Sequence, residues 1–288
     1  MLFLRYKLIF TDTAMKYSVV TTFNHSGYTR YASKMIDTFL KNWPKEVHLY
    51  VYAEDCTVTQ SAPNLTVYDL HAQCPRLVAF KEKYKNDPRA TGQLGVGPVD
   101  KKGKQQGLGF RWDAVRFSNK VYAMCDAASR TLDTVIWMDA DMVCHSPITM
   151  AAIEQLIPVD AGIAFIGRER KFTETGLWAI NMSNSANILF IQWMQAAYDN
   201  AETGVLAMEE FHDCWVFDRT RERIAATVPG WTQLNWSANF PKQGEGHPLI
   251  NTEWGKYLDH LKGNRKDYGK SLEKDLIKPR GESYWTVT

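Results

Sequence analysis

The segment Thr134-Val-Ile-Trp-Met-Asp-Ala-Asp-Met-Val-Cys144 constrains this chain more than any other. Thr134 to Met138 are apolar or β-branched without a charge among them. Such a run suits a strand buried on both faces, the habit of a central strand in a parallel sheet covered by helices. Two aspartates follow at once, and unpaired carboxylates are costly inside a core. Asp139 and Asp141 are therefore expected where the strand leaves the sheet, at the carboxyl end where open α/β sheets bind ligands. At positions i and i+2 of extended backbone, both side chains should point the same way. Carboxylates so placed repel each other, and a divalent cation removes that cost. Mg²⁺ or Mn²⁺, completed by water and phosphate oxygens, suits such a pair. The competing expectation is a strand-end turn in which the aspartates cap backbone amides.

The flanking pattern extends the same plan. Lys16 to Phe23 reads as a buried first strand, followed by a polar loop at Asn24 to Gly27 and a helix over Tyr28 to Trp43 that Pro44 ends. Glu46 to Tyr52 and Asn64 to Asp69 read as the next strands, so strand, helix and strand alternate as in parallel sheets. Phe110 to Ala128 predicts a helix, Ala161 to Ile166 and Leu177 to Ile180 strands, and Ser185 to Ala201 and Glu209 to Arg223 helices. The fold class expected is α/β, a mostly parallel central sheet flanked by helices. Residues 86–109 break the rhythm with six glycines and with Lys101, Lys102 and Lys104. They predict a lid, a binding loop or disorder, and they lack the spacing of a phosphate-cradling P-loop. From Pro248 the chain reads as a polar, basic tail.

Bulk properties exclude several classes. A chain of 288 residues with 45% hydrophobic content can bury a substantial core, and a formal charge of +2 sets up no global field for nucleic acid or an anionic membrane. Cys56, Cys74, Cys125, Cys144 and Cys214 show no C-x-x-C spacing, which argues against a disulfide framework or a zinc site and for a reducing, cytoplasmic setting. No run approaches the roughly 18 to 20 apolar residues of a membrane helix. Residues 1–15 read as an extension ahead of Met15, with a weak interfacial anchor as the alternative.

A second cluster stands near the C-terminus: His260-Leu-Lys-Gly263-Asn-Arg-Lys266. A neutral imidazole can complete the shell of a cation held by two carboxylates. Glycine lets backbone amides approach a phosphate closely, and a lysine beyond it neutralises diphosphate charge. On the helix ahead of Asp139, Arg116 and Lys120 lie four apart and share a face, either toward a ligand or as a solvated surface with an Asp113–Arg116 pair.

Together the two clusters resemble glycosyltransferase family 8 and its GT-A relatives, such as glycogenin and bacterial lipopolysaccharide galactosyltransferases. There an apolar strand ends in D-x-D, and a C-terminal H-x-x-G-x-x-K supplies the third metal ligand and diphosphate contacts. Asp139, Asp141, His260, Gly263 and Lys266 match in order and spacing. Glu174-Thr-Gly-Leu-Trp-Ala-Ile-Asn181 resembles the family's N-[AS]-G-x-x-x-I-N with Glu in place of the first Asn. His212-Asp-Cys-Trp215 resembles its D-Q-D stretch, with Cys214 at the Gln position. The resemblance spans most of residues 16–270 and rests on the two specific motifs. It implies a GT-A fold over residues 16–288 as one catalytic domain. Residues 16–143 would bind the nucleotide-sugar, and 144–288 the acceptor, with a C-terminal diphosphate-binding tail.

The implied activity is metal-dependent transfer of a sugar, with retention, from a nucleotide-diphosphate sugar (a UDP-sugar) to a hydroxyl acceptor. Mn²⁺ or Mg²⁺ would be held by Asp139, Asp141 and His260. The donor would be contacted by Arg116, Lys120, Asp139, Gly263 and Lys266. Glu174 and Asp213 are the catalytic candidates in the sugar pocket, as nucleophile, hydroxyl anchor or stabiliser, or one of them as general base if the enzyme inverts. Trp215, Trp231 and Trp236 could stack on sugars, and His25, His145, His212 and His247 are further candidates. The acceptor is left open among a glycan, a lipid-linked glycan and a protein, with a hydroxylated DNA base a further option. Lys101 to Lys104, Arg168 to Lys171 and the C-terminal Lys/Arg residues could meet an anionic acceptor, either a lipid-linked glycan or such a base. Two other classes share part of the pattern: a nucleotidyl- or phosphotransferase using paired aspartates, which leaves His260 unexplained, and an inactive nucleotide-sugar-binding protein, which slow metal-dependent hydrolysis of UDP-sugars would exclude.

Overall fold

The structure is a computed structural model that describes residues 17–93, 96–99, 105–107, 109–169, 171–239 and 247–286, with 96–99 and 105–107 described by their backbone. The N-terminal extension and Lys101, Lys102 and Lys104 lie outside the described residues. Eleven strands are described: β1 Tyr17–Asn24, β2 His48–Glu54, β3 Leu65–Asp69, β4 Val96–Val99, β5 Gln105–Gly107, β6 Thr134–Met138, β7 Met142–Cys144, β8 Ile163–Ile166, β9 Glu174–Asn181, β10 Gln233–Asn235 and β11 Leu258–His260. Seven form the central sheet in the order β10-β8-β9-β6-β1-β2-β3. Every pairing in it is parallel except those of β9, which runs antiparallel to both β6 and β8. The α/β class with a mostly parallel sheet flanked by helices is thus the one observed.

The chain lays β2 and β3 on one side of β1, then returns to place β6 on the other. The carboxyl ends of β1 and β6 therefore meet at a topological switch point, where crossovers diverge and a ligand crevice is left open. The apolar run of β6 is buried throughout. Val135 and Trp137 join one core with Trp178, Phe190 and Phe217, while Ile136 and Met138 join the opposite core with Phe39, Met142 and Leu177. Trp137 stands directly across from Trp178 in the antiparallel register with β9. Each such side chain contributes about 1.5–3 kcal/mol of transfer free energy, so the strand that carries the aspartates is among the most firmly anchored parts of the sheet.

Three local expectations are corrected. The polar stretch after β1 is not a loop: Asn24 caps a helix by accepting from the Gly27 amide at 2.9 Å, and the chain runs through His25–Gly27 and a π-turn at Tyr28–Ala32 into the helix Ser33–Asn42. Within the glycine-rich segment, β4 and β5 pair as an antiparallel ribbon, and Gly109–Trp112 forms a 3₁₀ turn ahead of the helix Ala114–Ala128. Gly92 has φ +73°, and a Cβ there would stand 2.6 Å from the Gly109 carbonyl oxygen, so close backbone approach accounts for both glycines. The segment after Pro248 is not a loose polar tail. Leu249, Ile250, Trp254 and Leu258 are fully buried, and β11 pairs antiparallel with β7. Sparse apolar residues in short 3₁₀ turns carry no helical or strand period, so the sequence pattern hid them.

Candidate functional site

Asp139 and Asp141 sit on a turn between β6 and β7, in which the Met142 amide donates to the Asp139 carbonyl at 3.1 Å. This corrects the expectation of extended backbone: a turn, not strand alternation, brings the two carboxylates to one side. The Asp139 amide donates to the Gly176 carbonyl at 2.8 Å, tying the turn to β9. On the other side β11 places His260 opposite Met142, and the Leu261 amide donates to the Asp141 carbonyl at 2.9 Å. His260 is completely buried.

The three side chains converge. His260 Nε2 lies 3.0 Å from Asp141 Oδ1 and 3.7 Å from Asp139 Oδ2. The other carboxylate oxygens are held by cations, Asp139 Oδ1 by Lys120 Nζ at 3.0 Å and Asp141 Oδ2 by Lys266 Nζ at 2.6 Å. Trp137 Nε1 also donates to Asp139 Oδ1, at 2.7 Å. One oxygen of each aspartate is thereby left toward the imidazole, and one ligand atom from each of the three residues lies within 4.8 Å of the others. Two hard oxygens and one imidazole nitrogen fit a divalent cation of the Mn²⁺ or Mg²⁺ kind. Buried His260 Nδ1 makes no hydrogen bond and stands 3.9 Å from Glu174 Oε1, so Nε2 is the nitrogen that faces the aspartates.

The charges around this centre are matched inside a buried setting. Burial alone would raise the Asp141 pKa, but His260 and Lys266 hold it well below the usual carboxylate range. Glu174, at the first position of β9, is 1% exposed, and its oxygens take Lys262 Nζ at 2.5 and 2.6 Å. Burial opposes its ionisation, yet Lys262, His260 and Arg168 hold its pKa far below the ordinary value. Asp213, the first residue of the helix Asp213–Thr227, accepts from Thr175 Oγ1 at 2.6 Å and pairs with Lys120 Nζ at 2.7 Å. Its pKa is lowered to about 2 because Lys120 and the Thr175 bond outweigh desolvation. Lys120 bridges Asp139 and Asp213, and despite burial those two carboxylates raise its pKa. Glu174 and Asp213 are thus ionised at neutral pH, and neither is poised to give up a proton.

Gly176 explains itself by contact. A Cβ there would lie 2.4 Å from His260 Cε1 and 2.8 Å from Nδ1, so the Glu-Thr-Gly start of β9 is what lets the imidazole reach the aspartates. Gly263 has φ +62°, a left-handed backbone that glycine adopts without strain. Arg116 is exposed, with its guanidinium 5.7 Å from the Phe117 ring centroid. The expected Asp113–Arg116 pair is a helix cap instead: Asp113 Oδ1 accepts from the Arg116 amide at 3.0 Å.

The structure also redistributes the aromatic and histidine candidates. Trp231 donates to Asn187 Oδ1 and packs on Phe190, and Trp236 donates to the Leu156 carbonyl and packs on Trp254, so both serve the interior rather than a sugar. Trp215 is half-buried and lines an open cleft. His145 stacks on Tyr284, His212 caps the Asp213 helix, and buried His247 contacts the His260 carbonyl at 2.6 Å. His25, with Tyr28, Thr29 and Asp55, borders a separate cleft of about 550 Å³ at the carboxyl ends of β1 and β2. Sequence reasoning missed Lys262 and Thr175. Lys262 was visible as a cation inside the His260–Lys266 motif, but nothing in the spacing shows that it turns back to Glu174.

No family model matches the chain, and no curated protein matches it. Solved structures similar to it in part of their outline include several glycosyltransferases. They include mouse xyloside xylosyltransferase 1 (TM-score 0.41, 9% identity, 76% of this chain and 84% of that chain). The galactosyltransferase LgtC in complex with donor and acceptor sugar analogs follows at TM-score 0.38 and 11% identity, covering 69% of each chain. The bifunctional glycosyltransferase WbbM matches at TM-score 0.39 and 9% identity over 72% of this chain, which spans 37% of WbbM.

Proposed function

We propose that the protein is a divalent-metal-dependent glycosyltransferase that moves a sugar from a nucleotide-diphosphate sugar, a UDP-sugar in the first instance, to an acceptor hydroxyl with retention at the anomeric carbon. The observation that carries this reading is the convergence of Asp139, Asp141 and His260, with Lys266 beside them, from segments 119 positions apart in the chain. Asp139, Asp141 and His260 would hold Mn²⁺ or Mg²⁺, which when bound supplies positive charge against the diphosphate as it leaves. Lys266 reaches the same centre, and its ammonium is placed to donate to phosphate oxygens as negative charge grows there. Gly263, free to adopt its left-handed backbone, keeps the intervening loop close to the diphosphate. The nucleoside would occupy the cleft bordered by His25, Tyr28 and Asp55 at the carboxyl ends of β1 and β2.

Glu174 and Asp213 act as fixed negative charges in this reading. Lys262 and Lys120 keep them ionised, which suits electrostatic stabilisation of a cationic, oxocarbenium-like sugar and does not suit protonation of a leaving group. The departing diphosphate needs no protein acid.

A panel of nucleotide-sugars with Mn²⁺, scored for binding and slow hydrolysis on the wild type and Asp141→Ala, tests the reading. A UDP-sugar should be selected, with metal-dependent affinity lost in the variant. Equal, metal-independent binding by both proteins would sink it.

A further inference from the structure

Beside Glu174 and Asp213 a second cleft of about 800 Å³ opens, a size suited to one small ligand. It adjoins the site through the chain itself: Thr173 on its wall precedes Glu174, and Trp215 follows Asp213 by two residues on the same helix. Arg168 also spans the two, with Nη1 3.9 Å from Glu174 Oε2 and Nε donating to the Phe172 carbonyl at 2.5 Å. Lys262 is the nearer cation to Glu174, and Arg168 is a second, more distant one.

The lining pairs flat apolar rings with guanidiniums. Phe172 and Trp215 meet edge to face at 5.4 Å, the Arg219 guanidinium lies 4.8 Å from the Trp215 ring, and that of Arg221 lies 4.6 Å from the Phe165 ring. Stacked guanidiniums are held flat while their edges still offer donors. Arg219 gives Nη2 to Glu222, and Arg221 gives its Nη atoms to Gln233 and Asp218 while its buried Nε makes no hydrogen bond. Arg111, itself paired with Glu210 at 3.0 Å, and Lys171 complete five basic lining residues, beside acidic Asp218 and Glu222.

Building on the glycosyltransferase reading, we propose that this cleft is the acceptor subsite and that the acceptor is a saccharide bearing an anionic group, a carboxylate or a phosphate. The apolar face of a sugar ring suits Trp215 and Phe172. Its anionic group suits the fork geometry of Arg168, Arg219 and Arg221. A polynucleotide calls for a basic stripe along which the backbone can run, and a net charge of +2 with basic side chains gathered in a confined cleft favours a compact acceptor. In the transfer, the acceptor oxygen bonds to the anomeric carbon. The bond from that carbon to the diphosphate breaks, the nucleoside diphosphate leaves with the electron pair, and the hydroxyl proton passes to it.

The test compares methyl β-glucuronide and glucose 6-phosphate with neutral methyl β-glucoside, by equilibrium binding to the whole protein and as acceptors with the selected UDP-sugar. The anionic compounds should bind at least tenfold more tightly than the neutral one. Arg219→Gln and, separately, Arg221→Gln should bring that ratio toward one, and Arg219→Lys should restore part of it. A single-stranded decanucleotide serves as competitor. Equal use of the neutral glycoside, a ratio unmoved by both Gln variants, or preferential displacement by the decanucleotide would overturn the proposal. Anionic selectivity in binding without sugar transfer would uphold the subsite while removing the transferase reading, so the two fail separately.

Discussion

The acid cluster at the β6 turn and the arginine-lined cleft beside it are both crowded with charge, yet they treat it in opposite ways. In the cluster three lysines serve four carboxylates: Lys120 is shared by Asp139 and Asp213, Lys266 pairs with Asp141, and Lys262 with Glu174. The partners arrive from distant parts of the chain, and nearby cations hold Asp141, Glu174 and Asp213 ionised. In the cleft Arg219 and Arg221 pair with Glu222 and Asp218 while resting on aromatic faces. Tightly held, buried charge suits chemistry, where groups must not reorganise; guanidiniums on apolar platforms suit recognition.

The comparison breaks most readily at Asp141. Asp141→Ala should lower turnover by about a thousandfold and abolish metal-dependent donor binding, since it removes a ligand and leaves Lys266 without its partner. Retained Mn²⁺-dependent binding in that variant would move the centre elsewhere. Lys120→Met should leave two shielded carboxylates facing each other and cost about 3 kcal/mol of stability in urea denaturation. An unchanged midpoint would mean the cluster is not electrostatically matched. Gly176→Ala should cut activity about 10- to 100-fold with the fold retained, because the new methyl group occupies the space of His260. Circular dichroism separates that from unfolding.

Acid sharpens the comparison further. The folded pKa of Asp213 lies below its ordinary 3.8, at about 2, so its contribution is fully present above the ordinary value and is lost as pH falls toward the folded one. The stability gap between wild type and Asp213→Asn should therefore be constant above about pH 5 and shrink below about pH 4. A gap that persists to pH 2 would contradict the pairing with Lys120. Least of all, exposed Arg219→Gln should shift stability by no more than about 0.5 kcal/mol while changing anionic acceptor preference.

Much of this was legible in the residues because it is encoded locally. Thr134–Met138 was readable as a strand since five uncharged residues ending in aspartate have few other uses, and the observed bounds coincide. The pairing of Asp139 and Asp141 with His260 came from motif resemblance, whereas the turn that aims the two aspartates could not be seen in their i, i+2 spacing. What stayed hidden is non-local. The antiparallel sense of β9 is set by its neighbours β6 and β8, and the interior role of Trp231 and Trp236 is set by the partners that receive their indole N–H groups. Lys262 was passed over because a lysine in a basic stretch gives no sign of a buried glutamate 88 positions earlier.

The short ladder between β7 and β11 has a temporal consequence. Asp141 is synthesised 119 positions ahead of His260, and the strand that carries the imidazole, with Lys266 just beyond, follows later. The sheet can assemble earlier, since β1, β2, β3, β6, β8, β9 and β10 all precede that strand. A nascent chain arrested before residue 258 would carry the aspartates without their imidazole, so the donor affinity proposed above would arise only once that strand has been made.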